Sequence, residues 1–129
     1  MPWVQSYRQN GTDIVKHTFT FVANGSGEAT VASTLVISGE IVRVVIIPSA
    51  SAAPTTLYDL TLTDSDSVDV LAAQGADMSA TVTLNTCPGT PLKDGTTTSV
   101  IPMVVDSILT LNVTNAGSAG AGTVIVYVR

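Results

Sequence analysis

The side chains with most chemistry in this sequence are one histidine, one cysteine and a run of aspartates. His17 and Cys87 are the single members of their kinds. A catalytic thiolate needs a base to draw off its proton. His17 is the one imidazole present, and nothing in the local sequence pairs it with Cys87. Cys87 is expected instead to be a small, partly buried hydrophobe. A lone cysteine also excludes an intrachain disulfide. His17 alternates with Phe19 and Phe21, so a mid-strand histidine, satisfied or half exposed, is expected and not a general base. One histidine and one cysteine make a zinc centre implausible.

The acidic cluster is Asp59, Asp64, Asp66, Asp69 and Asp77. Asp64-Ser65-Asp66 opens like a calcium-binding loop, which needs oxygen ligands at fixed positions, a glycine at the sixth and a glutamate at the twelfth. Here the fifth position is Val68, the sixth is Asp69 and the twelfth is Gly75. A solvated acidic turn is expected, with a calcium site of another geometry left open. The only glutamates, Glu28 and Glu40, each sit beside a glycine at an expected strand start. They suit turn-flanking surface positions better than a glycosidase pair facing across a cleft. No G-x-S-x-G elbow and no phosphate-cradling glycine loop is present. The N-x-S/T triplets at Asn10, Asn24 and Asn112 are expected to serve turns. No cofactor is expected, and catalysis ranks last among the functions considered. Hydrolase turnover abolished by His17→Ala would overturn that ranking.

Composition narrows the rest. The 129 residues fit one domain that folds without staples. Charged residues make up 12% of the chain, well below the usual quarter, while 45% is hydrophobic. The apolar content comes mainly from Val, Ala, Ile and Leu, with many Thr and Ser, and Val, Ile and Thr suit a pleated surface. So little charge suggests that part of the outside is covered by neighbours. The net charge is −5, and the five cations Arg8, Lys16, Arg43, Lys93 and Arg129 are scattered. Binding to nucleic acid, which needs clustered cations, is not expected. The longest apolar runs, 44–48 and 100–105, are too short to span a bilayer, so no membrane partner is expected. The first eight residues lack the pattern of a cleavable export signal, and synthesis in a cytoplasm follows as the expectation.

The elements that must position these residues are strands. Val15, His17, Phe19 and Phe21 fall on one face, with Lys16, Thr18 and Thr20 on the other. Turns are expected at 24–27 and 64–67, strands at 30–37, 57–63, 68–72, 81–85, 108–113 and 123–128, and a break at Ser38-Gly39. The run 40–47 is apolar on both faces, as a central strand would be. The first three strands are expected to pair consecutively. Residues 74–78 could hold a helical turn. Pro102 places 99–105 at an edge or a bulge. The sum is an all-β fold: one antiparallel β-sandwich or jelly-roll-like domain of about eight or nine short strands.

Residues 1–12 form a polar N-terminal arm ahead of a β-sandwich domain over 13–129. Trp3 and Tyr7 are two of the six aromatics. Two readings stand side by side: a tail folded back on its own domain, or an arm docked on a neighbour. In the second, Trp3, Tyr7 and Arg8 are the candidate contacts to another subunit or to a capsid, with loops 49–56 and 86–98 next. Deleting 1–12 is then expected to weaken assembly and leave the fold intact.

Several stretches carry a resemblance. Gly39-Glu40-Ile41-Val42 leads to Thr55-Thr56-Leu57-Tyr58-Asp59-Leu60-Thr61-Leu62-Thr63-Asp64 and Val68-Asp69-Val70-Leu71, then Gln74-Gly75-Ala76-Asp77-Met78-Ser79. The C-terminal part has Leu109-Thr110-Leu111-Asn112-Val113-Thr114-Asn115-Ala116-Gly117, Gly122-Thr123-Val124 and Tyr127-Val128-Arg129. From about Ile14 onward the chain resembles small structural proteins encoded by tailed bacteriophages and prophages. The resemblance implies a virion component, of decoration or accessory type, with a β-sandwich or jelly-roll domain and no active-site residues to carry over. The expected function is capsid decoration: a cement protein that binds the head shell, with the major capsid protein as partner. A homo-oligomer is expected, a trimer first. The alternatives are a neck, tail or head-fibre accessory protein and a glycan-binding module.

Overall fold

Alternation of two decides the architecture. Strand side chains point to opposite faces in turn, and a sheet with one apolar face must cover it. A computed structural model describes residues 2–6, 14–91 and 100–129, and among them it contains ten strands and no helix. They are β1 (Trp3–Ser6), β2 (Val15–Val22), β3 (Ala29–Ala32), β4 (Ile37–Pro48), β5 (Asp59–Thr63), β6 (Leu84–Thr86), β7 (Gly89–Pro91), β8 (Val100–Ser107), β9 (Thr110–Thr114) and β10 (Ala121–Val128). A large sheet runs β1-β2-β10-β4-β8-β7, with β6 also on β4, and a small sheet runs β3-β9-β5. Every named strand pair is antiparallel. The fold is a β-sandwich.

The core lies between the sheets. The large sheet contributes Trp3, Phe19, Phe21, Ile41, Val44, Ile46, Val124 and Val126; the small sheet contributes Val31, Leu60, Leu62, Leu111 and Val113. Tyr58 fills the space beside them, its ring 6.3 Å from that of Phe21. Among the described residues no helix is long and apolar enough to cross a membrane.

The first strands do not pair consecutively as expected. β2 pairs with β1 and β10, while β3 pairs with β9 in the other sheet. Ser33 explains the crossing. Its amide donates to the Leu109 carbonyl and its hydroxyl accepts from the Leu109 amide. That pins the chain where it leaves the small sheet, so the expected strand 30–37 stops at Ala32 and β4 begins at Ile37.

Ser38-Gly39 is not a break either. Gly39 sits inside β4 at φ 133°, and a Cβ there would lie 2.5 Å from the Arg129 carbonyl oxygen. Glycine is needed for that close approach. Beyond it, the register slips by one between Val128↔Ile41 and Tyr127↔Arg43, leaving Val42 as the extra residue of a bulge. β4 is the central strand that its two-sided apolar pattern implied. β10 lies on one side, and β8 and then β6 lie on the other.

Asp69 replaces the expected strand at 68–72. Its carboxylate accepts from the amides of Leu62, Leu71 and Ala73. Only a bridge to Thr63 forms, followed by successive tight turns over 69–76 instead of a helical turn. This segment covers the free edge of β5: Val70 donates to Leu62, Leu60 to Gly75 and Met78 to Tyr58. A covered edge cannot template pairing with another chain.

Candidate functional site

His17 is buried in β2, its ring stacked on Trp3 with centroids 5.8 Å apart and planes 14° from parallel. Burial lowers its pKa from the usual imidazole value. Neither His17 Nδ1 nor Trp3 Nε1 has a hydrogen-bond partner. The histidine is therefore not the satisfied or half-exposed one expected. It is an aromatic filler beneath an edge strand. Trp3 is 6% exposed and belongs to the chain's own core. Tyr7 and Arg8, the other candidate contacts, lie outside the described residues.

Cys87 is exposed, not partly buried as expected. It follows β6 on the far side of β4, and β10 separates β4 from the strand of His17. The topology does not bring the two together.

Asp59, Asp64 and Asp69 work as acceptors for backbone amides. Asp64 Oδ1 accepts from the amides of Asp66 and Val68, closing the turn on itself. Asp59 accepts from the Asp77 amide and the Asn115 side chain, which hold its carboxyl below its usual range. No group of three or more metal-ligating side chains occurs among the described residues. Glu28 is an exposed turn residue. Glu40 lies within β4, not at its start, and pairs with Arg129 at 3.1 Å. Asn24 caps its own turn by accepting from Ser26 and Glu28. Asn112 bonds across the small sheet to Thr63. Asn10 lies outside the described residues.

Two shallow clefts flank the segment 79–84. One holds about 230 Å³ beside Met78 and Leu84, the other about 240 Å³ beside Pro48 and Ala80. Ligand pockets usually start near 300 Å³, so each suits a few waters better than a substrate. The loop 49–56 is tied down by Ser49, whose hydroxyl accepts from the Ala52 amide. In the loop 86–98, residues 92–98 lie outside the described residues.

What stands out is a face. The two sheets differ on their outer sides. The small sheet shows Thr30, Thr61, Thr63, Thr110, Asn112 and Thr114, which suit water. The large sheet shows rows read directly from the register. Val22 lies beside Ala121; Thr20 beside Thr123 and Ile47; Val4 beside Thr18, Ile125 and Val45; Ser6 beside Lys16, Tyr127 and Arg43. Val22 is 65% exposed, Val4 49% and Ile47 37%, while Val45 is buried at 7%. The face is apolar or hydroxyl-bearing except along its last row. There the Arg43 guanidinium sits 5.2 Å from the centre of the Tyr127 ring, and its Nε donates to Asn85 at 2.9 Å.

The sequence did carry a signal for this face: the apolar outer positions of 40–47 and of 121–128. Only the register sets the two strands side by side. Comparison with protein-family models, with curated proteins and with solved structures finds no match.

Proposed function

We propose that the chain is a structural component of a tailed-phage particle, a capsid decoration protein that stabilises the head shell. The observation that carries this reading is the outer face of the large sheet. Exposed apolar patches of a few hundred Å² mark interaction surfaces. This face spans roughly 20 Å by 20 Å over four strands of about six residues, and its exposed apolar side chains are Val4, Val22 and Ile47. The phage resemblance names the setting, with the major capsid protein as the partner and a homo-oligomer, first a trimer, as the working form. The chain would be assembled into virions in the host cytoplasm.

The mechanism is mass action, with no bond made or broken. A protein that binds the assembled shell and not its dissociated subunits stabilises the shell by an amount set by free concentration over Kd. At a hundredfold excess that is about 2.7 kcal/mol for each site. Shells with the protein added should rupture at a higher temperature than bare shells. An unchanged rupture temperature at saturation would remove the cement role.

A second reading has its own observation. Tyr127 is half-buried, with Arg43, Lys16 and Asn85 around it. An aromatic surface ringed by donors is the chemistry that holds a sugar. In that case the chain is a glycan-binding accessory of the neck, tail or head fibre. Glycan-array binding lost in Tyr127→Ala would favour it.

A further inference from the structure

Charge on this molecule is segregated, and the segregation identifies what fits the outer face. Lys16 and Arg43 lie on either side of Tyr127 in one row across β2, β10 and β4. Among the described residues the ion pair is Arg129–Glu40, and neither Lys16 nor Arg43 has a carboxylate partner. Three of the described acidic groups, Asp64, Asp66 and Asp106, gather elsewhere. The amide of Ser65 donates to the Ser107 hydroxyl at 3.3 Å, holding the turn of Asp64 and Asp66 against the end of β8. Asp106, hydrogen-bonded by Ser38, is next to that contact. Ser38 and Arg43 are both on β4, five residues apart, so roughly 16 Å of strand separates the acidic end from the basic row.

We infer that the outer face of the large sheet binds a second copy of this chain, head to tail. The acidic end at Asp64, Asp66 and Asp106 of one copy docks on the Lys16–Tyr127–Arg43 row of the next. Two arguments select this occupant. The net charge is −5, so two copies repel unless an acidic surface meets the row of unpaired cations, and opposite potentials steer such a meeting. A face of about 400 Å² is also only about half of what one partner contributes to a stable interface, roughly 800 Å². A contact of that size is weak alone and gains from closing into a ring, which is what a heterologous interface does when its rotation closes. The inference rests on the assembly role proposed above: it gives this face to the contact within the homo-oligomer, and the shell contact then falls to the assembled ring.

The test is sedimentation velocity on the purified chain over a wide concentration range, at low and at high salt. Concentration-dependent association that weakens with salt is expected. The pair Lys16→Glu and Arg43→Glu should raise the dissociation constant at least tenfold. So should Asp64→Asn with Asp66→Lys, where asparagine keeps the acceptor that closes the turn. Mixing the two double variants should restore association, because each then supplies the other's missing surface. Thermal melts check that the variants fold. A chain that stays monomeric at all concentrations in low salt overturns the inference. So does association unaffected by the acidic variants, which would mean that the faces pair symmetrically, and so does a mixture that fails to recover. Counting the protein in purified particles separates the two readings. Presence there without self-association defeats only the head-to-tail contact, and self-association without presence defeats only the virion role.

Discussion

His17 and Trp3 make the N-terminal edge sensitive to acid. A histidine whose folded pKa is depressed by burial binds its proton more readily in the unfolded chain. Its contribution is complete above the ordinary value of 6.5 and is lost as pH falls toward the folded value. Melting temperature should therefore fall as pH drops from neutral through 6.5 toward the folded value. His17→Phe, which keeps the stacked ring and cannot titrate, should flatten that slope. Trp3 is the single tryptophan, so its fluorescence follows the same edge. Equal acid losses in both proteins would contradict the assignment. Asp59 acts in a lower window. Its carboxyl, held down by the Asp77 amide and Asn115, contributes above the ordinary value of 3.8 and loses that contribution as pH falls through the folded value. Tyr58 supplies a second residue-scale test. It is fully buried and its hydroxyl has no hydrogen-bond partner. An unsatisfied buried polar group costs about 1–3 kcal/mol, so Tyr58→Phe should leave stability unchanged or raise it in a denaturant titration. A clear loss would reveal a bond the hydroxyl makes. None of these three roles was legible beforehand. Alternation put His17 on the inward face, but only the pairing of Trp3 with Phe19 brought an aromatic ring over it.

Strands were legible where alternation ran uninterrupted, and they were misread where one side chain or one glycine redirected the chain. β2 and β10 follow the period of two almost to the residue. Ser33, Gly39 and Asp69 defeated the reading around them because their effects depend on partners that alternation does not show: Leu109, Arg129 and Leu62. Gly39→Ala should cost about 1–3 kcal/mol, since a side chain there is strained and meets backbone. Gly25→Ala, with nothing within 4 Å of its Cβ, is the control and should be near neutral. Equal effects by thermal melting would mean that β4 does not need glycine at the Arg129 approach. The N-terminal strand is a related case. Deleting residues 1–6 removes Trp3 from the core along with the ladder to β2. A cost of about 3–5 kcal/mol is expected in denaturant, as for truncation of a buried tryptophan. An unchanged midpoint would return β1 to the status of a detachable arm.

For the whole molecule, sparse charge was the legible part: a chain with 12% charged residues leaves part of its surface for neighbours. Which part was not legible, because the face is assembled from strands 4, 18, 45 and 125 residues into the chain, joined only by register. Two sheets of one sandwich thus carry different outer surfaces, threonine on the small sheet, and valine, isoleucine and a short basic row on the large one. The account assigns water to the first and protein to the second. Its central claim is that this second surface belongs to a phage particle. The most direct test is to count copies of this chain against the major capsid protein, by quantitative mass spectrometry of purified particles that its gene accompanies. Copies in the hundreds are predicted, in fixed ratio to the shell. A dozen or fewer would move the protein to the neck, tail or a fibre, and none would contradict the virion role.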